Sequence, residues 1–128
     1  LYASAPLTIK LVAPTGKAAA RLTESILGAK QKLSMIPENT APLIPDSAQT
    51  IHRLLGVIPH TNKFRHNKRN PLHLDVLIID EASMVRADTF DAIDQTLRLT
   101  RKSLTPFGGV QIILFGEMEV VVQVILIL

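Results

Sequence analysis

Three short apolar runs punctuate the chain, at residues 7–13, Val76–Ile79 and 110–115, each rich in Val, Ile and Leu and continuous rather than alternating. A continuous run means that both faces of the strand are covered, which predicts buried strands of a parallel sheet. Helical spacing fills the stretches between them. After Thr15, the residues Ala19, Leu22, Ile26, Ala29 and Leu33 recur every three or four positions and form one apolar stripe. Phe90, Ile93 and Leu97 do the same later. Asp88 stands where the N-cap of that second helix belongs, and Arg98, Arg101 and Lys102 fall toward its end, a charge order that complements the helix dipole. Strands alternating with helices predict an α/β fold with a parallel sheet flanked by helices.

A long, partly irregular insertion, residues 36–70, separates the first helix from the second strand. Pro37, Pro42 and Pro45 punctuate its start. A short helical patch at 50–56 follows and ends at Gly56, a plausible cap. Residues 60–70 then carry Lys63, Arg65, Lys68 and Arg69 with two His and no acid.

Composition narrows the chemistry. The 128 residues include no Cys, which excludes a disulfide framework, a Cys-based zinc site and a thiol nucleophile. No apolar stretch approaches the roughly 20 residues a membrane helix needs, and no signal-peptide pattern opens the chain, so the expectation is a cytoplasmic protein with no membrane partner. The net charge is a mild +3, but ten Lys/Arg face four acids in residues 1–75, against four facing seven afterwards. That asymmetry points to a polyanionic partner for the first part.

All three strand runs end in residues with chemical potential: Pro14-Thr15-Gly16-Lys17, Asp80-Glu81 and Gly116-Glu117. Ligands of parallel α/β sheets bind outside the carboxyl ends of the strands, so the candidate chemistry shares one edge. Val76–Ile79 stopping abruptly at Asp80 and Glu81 has the layout of a Walker B element. Its first carboxylate can hold Mg²⁺ through water, and its second can orient and deprotonate the water that attacks a γ-phosphate. The plain structural alternative is a strand followed by a solvated acidic turn. Residues 13–22 are not a phosphate loop, because G-x-x-x-x-G-K-[ST] would need Gly at 11 and Ser or Thr at 18, where the chain has Leu11 and Ala18. A strand, a tight turn and a helix N-terminus still make an anion site, suited to a nucleic-acid phosphate as well as to a nucleotide. Its alternative is a capped turn with Lys17 in solvent.

The residues at 13–25, at 50–56, Phe64-Arg65-His66, Asn70-Pro71-Leu72-His73-Leu74-Asp75 and the run Asp80-Glu81-Ala82-Ser83-Met84 together resemble the RecD family, the alpha subunits of exodeoxyribonuclease V and superfamily 1 DNA helicases. Pro106-Phe107-Gly108-Gly109-Val110-Gln111 and Ile113-Leu114-Phe115-Gly116 look more like the Pif branch of that superfamily. The resemblance implies an incomplete RecA-like P-loop NTPase domain spanning 1–128, part of a motor that uses ATP and Mg²⁺ to move 5′ to 3′ along single-stranded DNA. It implies work in recombination and double-strand break repair, with nuclease and helicase subunits of an exodeoxyribonuclease V-type complex as partners. It also implies that Pro14, Thr15, Gly16 and Lys17 touch the strand's backbone, that Thr50, His52 and Arg53 form a second strand-contacting motif, and that Asp80 serves Mg²⁺ and Glu81 is the catalytic base. Gly116 and Glu117 then occupy the next nucleotide-site motif, and Lys63 and Arg65 lie in a basic loop suited to phosphate contacts.

Departures from the family pattern are equally specific. The phosphate loop, which in these helicases lies before residue 1 of this chain, is expected to be missing, and the motif after Gly116 has no Gln in the place that senses the γ-phosphate. The chain alone is therefore expected to bind no cofactor tightly and to lack ATPase activity. Two alternatives to a RecD-type helicase piece stand beside it: a non-catalytic single-strand-binding remnant, and a truncated Pif-type or conjugative helicase. For His52 the structural alternative is a helix-face histidine packed over the domain, and for residues 63–69 it is a solvated basic loop.

Overall fold

The computed structural model describes residues 8–33, 45–61, 65–66 and 69–116. Strand β1 (Ile9–Ala13) leads through Pro14 and Thr15 into helix α1 (Gly16–Leu33). A two-residue strand β2 (Gln49–Thr50) runs directly into helix α2 (Ile51–Leu55). Strand β3 (Val76–Ile79) is followed by a 3-10 turn (Ala82–Met84) and helix α3 (Ala87–Thr100). A second 3-10 turn (Pro106–Gly109) precedes strand β4 (Gln111–Leu114).

The four strands pair in the order β2-β1-β3-β4, and every pair is parallel. Alternate side chains of the two central strands go to opposite layers, as the pleat requires. Val12, Leu77 and Ile79 pack with Ile51, Leu54, Ile93 and Leu97 of α2 and α3. On the other face Leu11 and Ile78 pack with Leu22 and Ile26 of α1. Both faces being covered explains why β1 and β3 read as unbroken apolar runs. At the head of α1 small residues, Ala13, Ala18 and Ala19, are buried together, so the helix start lies close against the strand end.

Thr23 ties β2 into place. Its hydroxyl accepts the Ala48 N–H at 2.9 Å and donates to the Ala19 carbonyl at 2.9 Å, holding the chain that enters β2 against α1. The insertion is thus partly regular: β2 and α2 form within it, and the Arg65 N–H donates to the Gly56 carbonyl at 2.7 Å. Residues 36–44, 62–64 and 67–68 of the insertion lie outside the described residues.

Two expectations need correction. The N-cap of α3 is Arg86, not Asp88, which sits in the first turn. The 3-10 turn brings the chain round earlier than helical spacing alone indicates, so the helix starts before its apolar stripe. The strand expected at 110–115, which is β4, is also not buried on both faces: Gln111 and Leu114 are exposed and Ile112 and Ile113 half-buried. The physical reason is position, since β4 is the outermost strand of the described sheet.

Candidate functional site

Parallel pairing puts the carboxyl ends of all four strands on one rim. Val12 lies opposite Ile79, and the Asp80 N–H donates to the Val12 carbonyl at 3.0 Å, so the turn after β1 and the acids after β3 are immediate neighbours. That juxtaposition is the main geometric fact about the site.

At the end of β1, Thr15 caps α1: its Oγ1 accepts the Ala18 N–H at 3.1 Å and its carbonyl the Ala19 N–H at 3.0 Å. Pro14 is half-buried, while Thr15, Gly16 and Lys17 are exposed. Capping turns the chain sharply and leaves the Lys17 side chain on the rim. Next door, Thr50 caps α2 by accepting the Arg53 N–H at 3.1 Å, and Gly56 closes the helix in the left-handed conformation, φ +69°. A Cβ at Gly56 would lie 2.8 Å from Arg65 Cβ, so both backbone and space call for glycine. His52 and Arg53 are exposed. The apolar face of α2 is taken by Ile51, Leu54 and Leu55, so His52 stands on the exposed side of the helix.

Asp80 is buried, at 1% exposure, and its Oδ1 has no hydrogen-bond partner. Burial pushes its pKa above the usual carboxylate value; the Glu81 backbone amide opposes that rise and the Glu81 carboxylate adds to it. A buried carboxylate oxygen without a donor fits a cation or a cation-bound water. Among the described residues no group of three or more His, Asp or Glu gathers as a protein-only metal cage. A single carboxylate with an open oxygen instead suits an ion that keeps its waters and leans on substrate phosphates, as Mg²⁺ does.

Glu81 follows at φ +52°, a left-handed conformation uncommon for a side chain of this kind. Glu81 is half-buried and stands at the start of the 3-10 turn. The end of β4 clamps this bend. Phe115 donates its N–H to the Ile79 carbonyl at 2.9 Å and accepts the Ala82 N–H at 2.9 Å. Gly116 is exposed beyond it; Glu117 lies outside the described residues, as does Lys63.

Pro14 and His52 line one small groove with Met84, Val85, Arg86 and Thr89. Arg65 is placed elsewhere, beside Gly56 at the far end of α2 from Thr50. Met84 closes the run already quoted from Asp80, but Arg86 was not singled out by the sequence, where its only signal is a cation just after the carboxylates.

A family model described as an AAA domain matches residues 2–121. The chain belongs to the AAA domain family. Within it this AAA domain is RecD/Pif-like. It is 51% identical over 82 residues to the RecBCD enzyme subunit RecD of Haemophilus influenzae, covering 62% of this chain and 13% of that one. It is 32% identical over 112 residues to the ATP-dependent DNA helicase PIF1 of Danio rerio, covering 88% of this chain and 15% of that one. A solved structure described as a basis for DNA unwinding at forked duplex DNA by two coordinating Pif1 helicases matches with TM-score 0.55 and 32% identity, covering 90% of this chain and 24% of the other. This AAA domain therefore spans less than a quarter of each of these proteins, and its sheet is a partial RecA-like P-loop fold.

Proposed function

We propose that this AAA domain is the part of a RecD-type, ATP-dependent 5′–3′ DNA helicase that holds the hydrolytic carboxylates and one wall of the single-strand track. The observation that carries the reading is the shared rim: Asp80, with its open buried oxygen, stands one strand away from the exposed Lys17 turn and two away from the exposed His52 and Arg53. A nucleotide at Asp80 and a strand across 14–17 and 50–53 would touch through the same bend.

Asp80 would hold Mg²⁺ through water, and Mg²⁺, when bound, neutralises charge on the β- and γ-phosphate oxygens of ATP. Glu81, the neighbouring carboxylate at the start of the 3-10 turn, would orient a water and take its proton. Gly116 and Glu117 follow the strand that clamps this bend, and we assign them to the nucleotide side. Thr15, Gly16, Lys17, Thr50, His52 and Arg53 would meet the strand's phosphates, contacts that give affinity without sequence preference. Arg65, on the loop beyond α2, would extend that basic surface away from the rim, and we assign Lys63 the same phosphate-contacting role from its place in the sequence. By likeness to RecD, the parent would work in recombination and double-strand break repair beside nuclease and helicase subunits.

Phosphoryl transfer depends on positioning and charge neutralisation, and no G-x-x-x-x-G-K-[ST] stretch occurs in the 128 residues. That observation favours a second reading for the isolated chain, a strand-binding module without turnover. Phosphate release with Mg²⁺ and single-stranded DNA separates the readings. The full-length protein carrying this domain is expected to hydrolyse ATP and to lose turnover by a factor of about 100 or more with Glu81→Gln, strand binding intact. The 128-residue chain is expected to show none. Turnover of the full-length protein that survives Glu81→Gln would contradict the assignment.

A further inference from the structure

We propose that the trough between α2 and the first turns of α3 receives a nucleobase turned out from the single strand, with Arg86 meeting the adjoining phosphate. This rests on the strand-binding reading above and names a subsite that reading does not contain.

The groove that starts at Pro14 has a volume of about 110 Å³. His52 and Thr89 line it and also line a larger cavity of about 400 Å³, so the two adjoin at these side chains and together make the trough. The larger part lies within the size range of small-ligand sites, roughly 300–1,000 Å³. Leu55, Val57 and Ala92 supply apolar walls, and Asp88, Thr89 and the exposed imidazole of His52 supply polar groups. Apolar walls with polar groups at the margin match a base, which has an apolar face and a hydrogen-bonding edge. A bare phosphate would leave the walls unused. Asp88 can accept a hydrogen bond from an exocyclic amine, and His52 offers a flat ring for stacking.

Arg86 stands on the lip with an exposed side chain, its Nε 3.2 Å from Asp88 Oδ1. An exposed ion pair of this kind is weak, so the guanidinium is available to a phosphate. The trough also meets a need of composition. The chain has four Phe, one Tyr and no Trp, too few for a row of stacking rings, and strand binding without such rings must hold bases some other way. The smaller groove next to the larger cavity is lined by Met84 and Arg86, which follow the bend at Asp80 and Glu81, so the subsite lies beside the carboxylate bend.

Fluorescence anisotropy of the 128-residue chain with labelled oligodeoxycytidylate, and with an abasic strand of equal length, tests this at low salt. The wild-type chain is expected to bind the abasic strand about fivefold or more weakly. Ala92→Phe, which fills the trough, should weaken the cytidylate strand alone and abolish the difference. Arg86→Ala, an exposed change, should weaken both strands and reduce the salt slope by about one. Equal affinity of wild type for the two strands overturns the base subsite while leaving phosphate binding standing, as does a difference that persists in Ala92→Phe. Binding of neither strand by the wild-type chain overturns both the subsite and the strand-binding reading for this chain.

Discussion

Asp80 combines two features that a structural carboxylate would not keep: near-complete burial and an oxygen with no donor. An unsatisfied buried polar atom costs about 1–3 kcal/mol, more if charged. Asp80→Asn, which removes the charge but keeps the shape, should therefore raise stability by about 1 kcal/mol in urea melts at neutral pH while removing Mg²⁺-dependent chemistry. A loss of stability instead would mean that the carboxylate is serving the fold. Asp94 behaves in the opposite way. Its Oδ1 accepts the Phe107 N–H at 2.7 Å and the Arg98 Nε–H at 2.8 Å, tying the turn before β4 to α3. The Phe107 amide first, and then Arg98, hold its carboxyl below the ordinary 3.8 against an opposing effect of burial. A lowered native pKa stabilises the fold above the unfolded value and gives that stability up as pH falls through the native one. Asp94→Asn should thus cost about 1–2 kcal/mol at pH 7, and the gap to wild type should close below pH 3.8. A gap independent of pH would contradict the ionic account.

At the scale of elements, patterning told most where two layers constrain a segment at once. Strand β3 occupies the same residues that its apolar run marks, because Leu77, Ile78 and Ile79 are buried between α1 on one side and α2 and α3 on the other. Leu22, fully buried on the stripe of α1, should cost about 2–5 kcal/mol on truncation to Ala, read as a shift in the urea midpoint. Strand β2 was not legible, since two residues offer no alternation to read and its place is fixed by the distant Thr23 hydroxyl. The start of α3 was misread for a related reason. Asp88 has the chemistry of a cap, but a tertiary bend at Glu81 sets where the helix begins. Gly108 shows a similar dependence on context. It adopts φ +62°, and a Cβ there would stand 2.5 Å from the Leu97 carbonyl, so Gly108→Ala should loosen the α3–β4 joint by about 1–3 kcal/mol in the same assay.

Across the whole molecule, charge counted along the sequence translates only partly into a charged face. Lys17 and Arg53 stand exposed on the carboxyl rim, but Lys30 is turned to Asp46 at 2.6 Å, and Arg101 is bound to the carbonyls of Leu74 and Gly108. What the chain order did convey is that chemistry sits at strand ends, and parallel pairing brings the ends of β1 and β3 together. Arg86 was hidden, because its place in the groove beside Pro14 and His52 follows from a bend that only the folded chain displays. The claim that one rim serves both nucleotide and strand is tested most directly by locating the strand. Single-stranded DNA carrying 4-thiothymidine, photocrosslinked to the chain and mapped by peptide mass spectrometry, should mark the segments containing Pro14–Lys17 and Thr50–Arg53. Crosslinks gathered at the opposite edge of the sheet, around Asp75, Gln111 and the end of α3, would contradict it.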